Sequence, residues 1–305
     1  MLHMFEGIIP LYKPKGMTSH DCVMKMRKLL RTKKVGHTGT LDPDVEGVLP
    51  ICVGRATKVV EYVTDMPKEY EAEVTLGVST TTEDASGEVI AEKDIPPTLS
   101  KENIVVTLHK FKGKQSQVPP MYSAVKINGK KLYEYAREGI EIERPARDIE
   151  VYRITFIENS IQQVHHRMSF RFIVTCSKGT YIRTLCTDIG KELGYPAHMS
   201  DLTRTRSGPF MLERTLTFEE IENRKNEGLL EQVLVPITEG LIHLPHIEVN
   251  ESMKGKILHG QVLSANNETP NEPFVFSYKG EALAVYQPHP LKDGLIKPKT
   301  MLKTI

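Results

Sequence analysis

The chain is 305 residues long, and none of its windows approaches the length of apolar sequence needed to span a bilayer. The segment Met1-Leu2-His3-Met4-Phe5-Glu6 lacks a basic stretch followed by a long apolar one, so no export signal is expected. Only four cysteines occur (Cys22, Cys52, Cys176 and Cys186), and none belongs to a Cys-x-x-Cys pair. Their apolar or strand-like surroundings read as buried free thiols, which fits a reducing cytoplasm better than a metal knuckle. An excess of one charge is also missing. Forty Lys and Arg face 39 Asp and Glu, a net charge of +1, so whole-chain charge does not argue for nucleic acid and only local clustering can. No internal repeat or low-complexity tract is present. Gly54-Arg55-Ala56-Thr57-Lys58 is not a P-loop, because the glycine spacing and the Lys–Thr order are wrong. With 39% hydrophobic and 26% charged residues, this is an ordinary globular chain, long enough for one large domain and one small one.

The stretch that stands out is Gly36-His37-Thr38-Gly39-Thr40-Leu41-Asp42-Pro43. Pro43 pushes Asp42 into an extended conformation, and Gly36 and Gly39 permit a tight turn or close approach to a ligand. Before it come Lys25, Arg27, Lys28, Arg31, Lys33 and Lys34, opposed only by Asp21; after it comes the apolar run Val48-Leu49-Pro50-Ile51-Cys52-Val53. A carboxylate on a stiff loop between a basic face and a buried strand suggests chemistry on a polyanion. An ordinary turn with a helix-capping aspartate is the plain alternative.

Along the chain, a strand at 8–12 turns through Lys13-Pro14-Lys15-Gly16 into a helix over about 20–32, with Ser19 as the expected N-cap. Tyr70, Ala72, Val74 and Leu76 alternate with Glu69, Glu71, Glu73 and Thr75, the pattern of a half-buried strand. Thr80-Thr81-Thr82-Glu83-Asp84-Ala85-Ser86-Gly87 reads as a polar loop, and residues 101–112 as a helix. From Lys112 to about Arg147 runs a polar excursion in which Lys126, Lys130, Lys131 and other cations interleave with Tyr122, Tyr133 and Tyr135. Basic groups contact phosphates and rings stack on bases, so this excursion could clamp RNA. A solvated hairpin and helix, its charge offset by Glu134, Glu138, Glu141 and Glu143, is the alternative. Strands follow near 149–158 and 164–177, then a helix with Ile182, Leu185, Ile189 and Leu193 on one face. Arg183 falls in the first turn of that helix, where the dipole disfavours a cation, so an acidic partner such as Asp42 is expected. Short helices over about 217–240 end the large domain, and from about His246 the chain turns to short strands, with a hairpin at Lys279-Gly280.

Several of these stretches together resemble one family. Leu11-Tyr12-Lys13-Pro14-Lys15-Gly16-Met17-Thr18-Ser19, the run from Gly36 through Lys58, Lys68-Glu69-Tyr70, and Cys176-Ser177-Lys178-Gly179-Thr180-Tyr181-Ile182-Arg183-Thr184-Leu185 look like the TruB-type bacterial tRNA pseudouridine synthases. The resemblance covers nearly the whole chain, including the insertion at about 112–147, and the tail is similar to a PUA domain. It implies a mixed α/β (α+β) catalytic domain over 1–240 with a central, mostly antiparallel sheet, and a small β-rich PUA-like domain over 246–305. The implied substrate is the T-loop uridine at position 55 in the tRNA convention, taken as a flipped-out base and isomerised to pseudouridine. Carried onto this chain, Asp42 would be the nucleophile, Tyr70 would stack on the base and take part in proton removal, and Arg183 would pair with Asp42. His37 would prop the T-loop bases, and Tyr181 and Leu202 would line the pocket. Lys13, Lys15, Lys58, Lys126, Lys130 and Lys131 are the expected RNA-contacting cations. The family often has two basic residues after the position of Leu202; here those positions hold Thr203 and Arg204, one cation fewer for RNA.

A carboxylate can form a covalent intermediate by attacking either C1′ of the ribose or C6 of the base. The isomerisation needs no cofactor, and none is expected. The expected partner is the tRNA T-stem-loop, with no membrane, no obligatory protein partner and a monomeric chain. A non-catalytic RNA-binding or assembly factor would account for the basic faces but not for a lone carboxylate aimed at a polyanion. A hydrolase pairing Asp42 with Asp44 is disfavoured, because two residues flanking a proline are poorly placed to flank a scissile bond. A metal site at His165-His166 is weaker still, since neighbours in a strand point to opposite faces. The guide-RNA-dependent branch of the family is the remaining alternative, less favoured because of the chain's length and its bacterial-type insertion.

Overall fold

The computed structural model describes residues 5–96 and 98–304. Residues 1–4, which carry most of the segment inspected for an export signal, lie outside the described residues. The chain divides into two compact units, Met1–Met66 with Ser207–Ile305, and Pro67–Arg206.

The first unit opens with β1 (Gly7–Lys13), α1 (Ser19–Leu30), β2 (Val35–His37), β3 (Glu46–Val53) and α2 (Val60–Asp65). β1 and β3 pair antiparallel from Gly7↔Val53 to Lys13↔Gly47, and β2 lies along β3 with His37 opposite Ile51. Cys22, Val23, Met26 and Leu30 recur at helical spacing and bury α1 against Ile9, Leu11, Leu49 and Ile51. The helix begins one residue earlier than expected. Thr18, not Ser19, is the N-cap: its hydroxyl accepts the Asp21 N–H, while its own N–H donates to the Asp21 carboxylate, a reciprocal capping box. That frees the Ser19 hydroxyl for another role, described below.

The second unit contains β4 (Lys68–Leu76), β5 (Val78–Thr80), β6 (Val89–Glu92), α3 (Lys101–Lys110), β7 (Gly113–Gln117), β8 (Lys126–Ile127), β9 (Lys130–Lys131) and α4 (Leu132–Arg137). It continues with β10 (Arg147–Phe156), β11 (Gln162–Val164), β12 (Arg167–Cys176), α5 (Ile182–Leu193) and β13 (Ala197–Ser207). Its sheet runs β13–β4–β12–β10–β7, and the β4/β12, β12/β10 and β10/β7 pairs are antiparallel. The alternation in β4 is realised as read. Ala72, Val74 and Leu76 are buried, while Glu71 and Glu73 on the other face reach Arg171 at 3.0 and 2.9 Å, joined there by Asp201 at 3.0 Å. The polar excursion is shorter than its composition suggests, because residues 113–117 form an edge strand of the sheet. What projects is 118–146, holding the β8/β9 hairpin and α4.

The chain returns to the first unit with β14 (Phe210–Met211), α6 (Phe218–Asn226), β15 (His246–Glu248), α7 (Glu251–Leu258), β16 (Leu263–Ser264), β17 (Phe274–Tyr278), β18 (Glu281–Pro288) and β19 (Leu295–Met301). The last five strands form one sheet ordered β15–β17–β18–β19–β16. The expected hairpin joins β17 to β18, with Lys279 and Gly280 both at positive φ (50° and 76°), as a type I′ turn requires. One face of this sheet packs Phe274, Phe276, Leu283, Tyr286 and Ile296 around Ile257 of α7. The other face shares a core with Ile8, Val48, Val59 and Val63 through Val275, Val285 and Leu302. This common core is why contacts place 207–305 with 1–66, whereas a division at 240/246 was expected. The fold class is as read: mixed α/β with a largely antiparallel central sheet and a β-rich C-terminal domain. No helix among the described residues is long and apolar enough to cross a membrane. All four cysteines are buried free thiols, and burial pushes those of Cys52 and Cys176 up to about 12.

Candidate active site

The candidate residues fall into two groups, one in each unit. In the first unit the Asp42 loop leaves β2 at His37 and enters β3 at Glu46. Its stiffness has several identifiable sources. Lys13, at the end of β1, is completely buried, and its amine donates to the carbonyls of Pro14 (2.9 Å), Pro43 (3.1 Å) and Val45 (2.6 Å). An ammonium group has three donors, and all three are matched here. Gly16 at φ +82° brings its N–H onto the Pro43 carbonyl at 2.9 Å; open space surrounds it, so the backbone conformation is what calls for glycine. The Ser19 hydroxyl accepts the Leu41 N–H at 2.8 Å and reaches the Leu41 carbonyl at 3.2 Å. Thr38 is buried, and its N–H donates to the Pro50 carbonyl at 3.2 Å. The backbone on both sides of Asp42 is therefore tied to β1 and to the start of α1, while Asp42 itself is half-buried and Asp44 exposed. His37 is half-buried and accepts the Gly39 N–H on Nδ1 at 3.3 Å.

Lys13 therefore corrects one expectation. A fully buried amine that closes three main-chain carbonyls is not an RNA-facing cation; it braces the loop that carries Asp42. Lys15, two residues on, is exposed. Lys58 is exposed as well, but its amine donates to the Met301 carbonyl at 2.6 Å, beside a Tyr62–Thr300 hydroxyl contact of 2.8 Å. Both bonds fasten the end of β19 to α2 and the turn before it.

In the second unit, Tyr70 lies near the start of β4, opposite Val174 of β12, half-buried on the face that Ala72 and Val74 continue inward. Leu202 is buried on the neighbouring strand β13. Tyr181 is the N-cap residue of α5 and Arg183 lies in its first turn, 5% exposed. The guanidinium donates to the carbonyls of Thr82 (3.0 Å) and Tyr122 (2.7 Å), and Nη1 stands 3.7 Å from the Asp84 carboxylate. Asp84 is held in turn: its Oδ1 accepts from the Thr82 hydroxyl (2.6 Å), the Ser86 N–H (3.0 Å) and the Ser86 hydroxyl (2.6 Å). A cation opposed by the helix dipole is thus offset by a carboxylate and two carbonyls. Glu83, at φ +65°, accepts the Thr184 hydroxyl at 2.7 Å, and burial raises its pKa above the usual carboxylate range.

Nothing in the sequence marks this support: Thr82 and Asp84 lie in a stretch that reads as polar loop, and Tyr122 reads as a stacking ring, whereas its carbonyl is what touches Arg183. The Asp-x-Ser pattern signals a self-bonded turn, yet nothing local links residue 84 to residue 183. On the insertion, Lys126 is exposed. Lys130 pairs with Glu138 and lies 4.7 Å above the Tyr135 ring, and Lys131 lies 5.3 Å above the Tyr133 ring. The acidic residues do offset part of the insertion's charge. Arg204, the second residue after Leu202, is buried at 1% exposed.

The class of protein is given by comparison with known families: it is that of the pseudouridine synthases. The model of the TruB family pseudouridylate synthase N-terminal domain matches residues 27–182, and that of the tRNA pseudouridylate synthase B C-terminal domain matches 183–242. The chain belongs to the TruB family, and it is an isomerase of the pseudouridine synthase type. The tRNA pseudouridine synthase B of Bacillus subtilis (strain 168) is 54% identical over 309 residues, with 98% of each chain covered. That of Oceanobacillus iheyensis is 55% identical over 295 residues, with 96% of each covered. Among solved structures, a chain of a Cbf5-Nop10-Gar1 complex is 28% identical with a TM-score of 0.75, covering 98% of this chain and 85% of its own.

Proposed function

We propose that the chain converts the T-loop uridine of tRNA, position 55 in the tRNA convention, to pseudouridine, with Asp42 as the nucleophile. The observation that carries this reading is the Asp42 loop. Lys13, Gly16 and Ser19 hold its backbone on both sides of a half-buried carboxylate. In the reaction the N1–C1′ bond breaks, uracil turns, and a C5–C1′ bond forms while the C5 hydrogen is lost to water. A positioned carboxylate provides the covalent stage that divides these steps. Tyr70 stacks on the flipped base, Arg183 keeps the Asp42 charge and direction, His37 props the neighbouring T-loop bases, and Tyr181 and Leu202 line the pocket. Removing a base from its stack costs a few kcal/mol, and each aromatic stacking contact returns about 1–3 kcal/mol. Lys15, Lys126, Lys130 and Lys131 contact phosphates, with the insertion 118–146 as a clamp and the C-terminal sheet as a PUA-like RNA-binding domain. The enzyme works in the cytoplasm as a monomer, on tRNA alone.

The relatives at 54–55% identity are named as tRNA-modifying enzymes, whereas the chain from the Cbf5-Nop10-Gar1 complex is 28% identical. This favours the stand-alone enzyme over the guide-dependent branch. The test is an unmodified T-stem-loop carrying tritium at C5 of its uridines, incubated with protein and no guide RNA. Wild type should release tritium, and Asp42→Asn should bind the RNA without releasing any. Tight binding with no release from wild type would leave a non-catalytic RNA-binding factor. Turnover by Asp42→Asn would remove Asp42 as the nucleophile.

A further inference from the structure

Gln117 is the last residue of β7, and its cross-strand partner is Arg147 at the start of β10. The insertion 118–146 springs from this pair. The Gln117 side chain is 5% exposed and spends both ends of its amide on one residue. Its Oε1 accepts the Tyr181 N–H at 2.8 Å, and its Nε2 donates to the Tyr181 carbonyl at 3.1 Å. Tyr181 has no side-chain cap of its own, and its carbonyl also accepts the Leu185 N–H at 3.0 Å, the first bond of α5. Five residues beyond Gln117, the Tyr122 carbonyl takes the Arg183 guanidinium at 2.7 Å. The root of the insertion thus grips the opening turn of α5 at two points, one on backbone and one on side chain. A glutamine fits the first point because a primary amide presents a donor and an acceptor side by side to a peptide N–H and C=O at any pH, as a carboxyl group does only when protonated.

We infer that Gln117 is a positioning residue: it sets the entry of α5, and with it Tyr181 and Arg183, relative to the RNA-gripping insertion. The inference rests on the pseudouridine synthase reading of Tyr181 and Arg183. In this arrangement, RNA held by the insertion bears directly on two residues of the pocket. Gln117 itself touches no substrate.

Two variants test this. Gln117→Met keeps the length and removes both hydrogen bonds. Gln117→Glu keeps the acceptor for the Tyr181 N–H but sets a second carboxylate oxygen against the Tyr181 carbonyl; protonation turns that oxygen into a donor and restores the pair. Charged groups near the pair include Arg147 across the strand, Arg144, which donates to the Pro119 carbonyl at 3.0 Å, Arg183 with Asp84 beside it, and Glu83 on the Thr184 hydroxyl, so each profile is read as a ratio to wild type. Tritium release is measured from pH 5.5 to 8.5, with RNA binding followed separately. Gln117→Met should lower kcat by roughly 10- to 100-fold, the scale of a small misplacement in a site, with RNA affinity within about threefold of wild type. Gln117→Glu should match that loss at pH 8.5 and recover towards wild type as the pH falls. Amide exchange at Tyr181 should accelerate in Gln117→Met, a readout that does not depend on activity.

Both variants within twofold of wild type, or unchanged exchange at Tyr181, would overturn the inference. So would a Gln117→Glu loss that is flat in pH, or a loss confined to RNA affinity. No tritium release from wild type would instead refute the pseudouridine synthase reading, and the exchange measurement would still decide whether the clamp exists.

Discussion

Lys13→Met separates a brace from an RNA contact. The substitution keeps most of the stem volume and removes the three donors that close the carbonyls of Pro14, Pro43 and Val45. The bond to Val45 is fully buried, so its carbonyl loses its partner with no access to water, at about 1–3 kcal/mol. The other two bonds are part-buried, and water can take them over in part, so each contributes about 0.5–1.5 kcal/mol. The sum is about 4 kcal/mol, which for a chain of 305 residues lowers Tm by roughly 6 °C. The loop also loses its anchor beside Asp42. A misplacement of about 1 Å there should cost on the order of 100-fold in kcat. RNA affinity should hardly change, and the slope of log K against log salt should stay as in wild type, because Lys13 offers no charge to a phosphate. Lys15→Met should do the reverse, leaving Tm and kcat near wild type and reducing the salt slope by about one. Calorimetry, single-turnover tritium release and RNA binding across a salt series read all of this. A Lys13→Met protein with unchanged Tm and kcat but a shallower salt slope would refute the brace and restore Lys13 as an RNA contact.

Arg183→Lys should keep the positive charge yet lose more than about 100-fold in kcat, since one amine cannot span the carbonyls of Thr82 and Tyr122 and the Asp84 carboxylate as a planar fork does. Near-normal single-turnover rates would show that charge alone suffices at that position. Glu83 supplies a pH dependence. Its folded pKa is raised, chiefly by burial, so the native state holds an extra proton between the unfolded value of about 4.3 and the folded value. Stability from this group is complete below the unfolded value and is lost as pH rises through the folded one. Glu83→Gln should therefore be more stable than wild type near neutrality, with the advantage vanishing as the pH approaches about 4. Unfolding of both proteins over pH 4–8 checks this, and a pH-independent difference would remove Glu83 as the cause.

Local features were legible in the residues alone. The β4 alternation, the α1 stripe, the Lys279-Gly280 turn and the Gly-His-Thr-Gly-Thr-Leu-Asp-Pro loop depend on periodicity and turn chemistry within a few residues, and each took the form read. Even so, the α1 cap was displaced by one residue, because Thr18 has Asp21 three positions on and Ser19 does not have that partner. Which polar groups meet across long separations depends on how the distant segments pack. Lys13 reads as one more cation beside Lys15 until folding buries it under Pro43 and Val45. Asp84 and Tyr122 become partners of Arg183 only because α5, the 82–86 loop and the root of the insertion converge. The C-terminal sheet reads as a separate appendage until its second face is found sharing a core with Ile8 and Val63. A buried donor must find an acceptor wherever the fold brings one, and an apolar face must find a cover, and neither requirement leaves a mark at a fixed spacing along the chain.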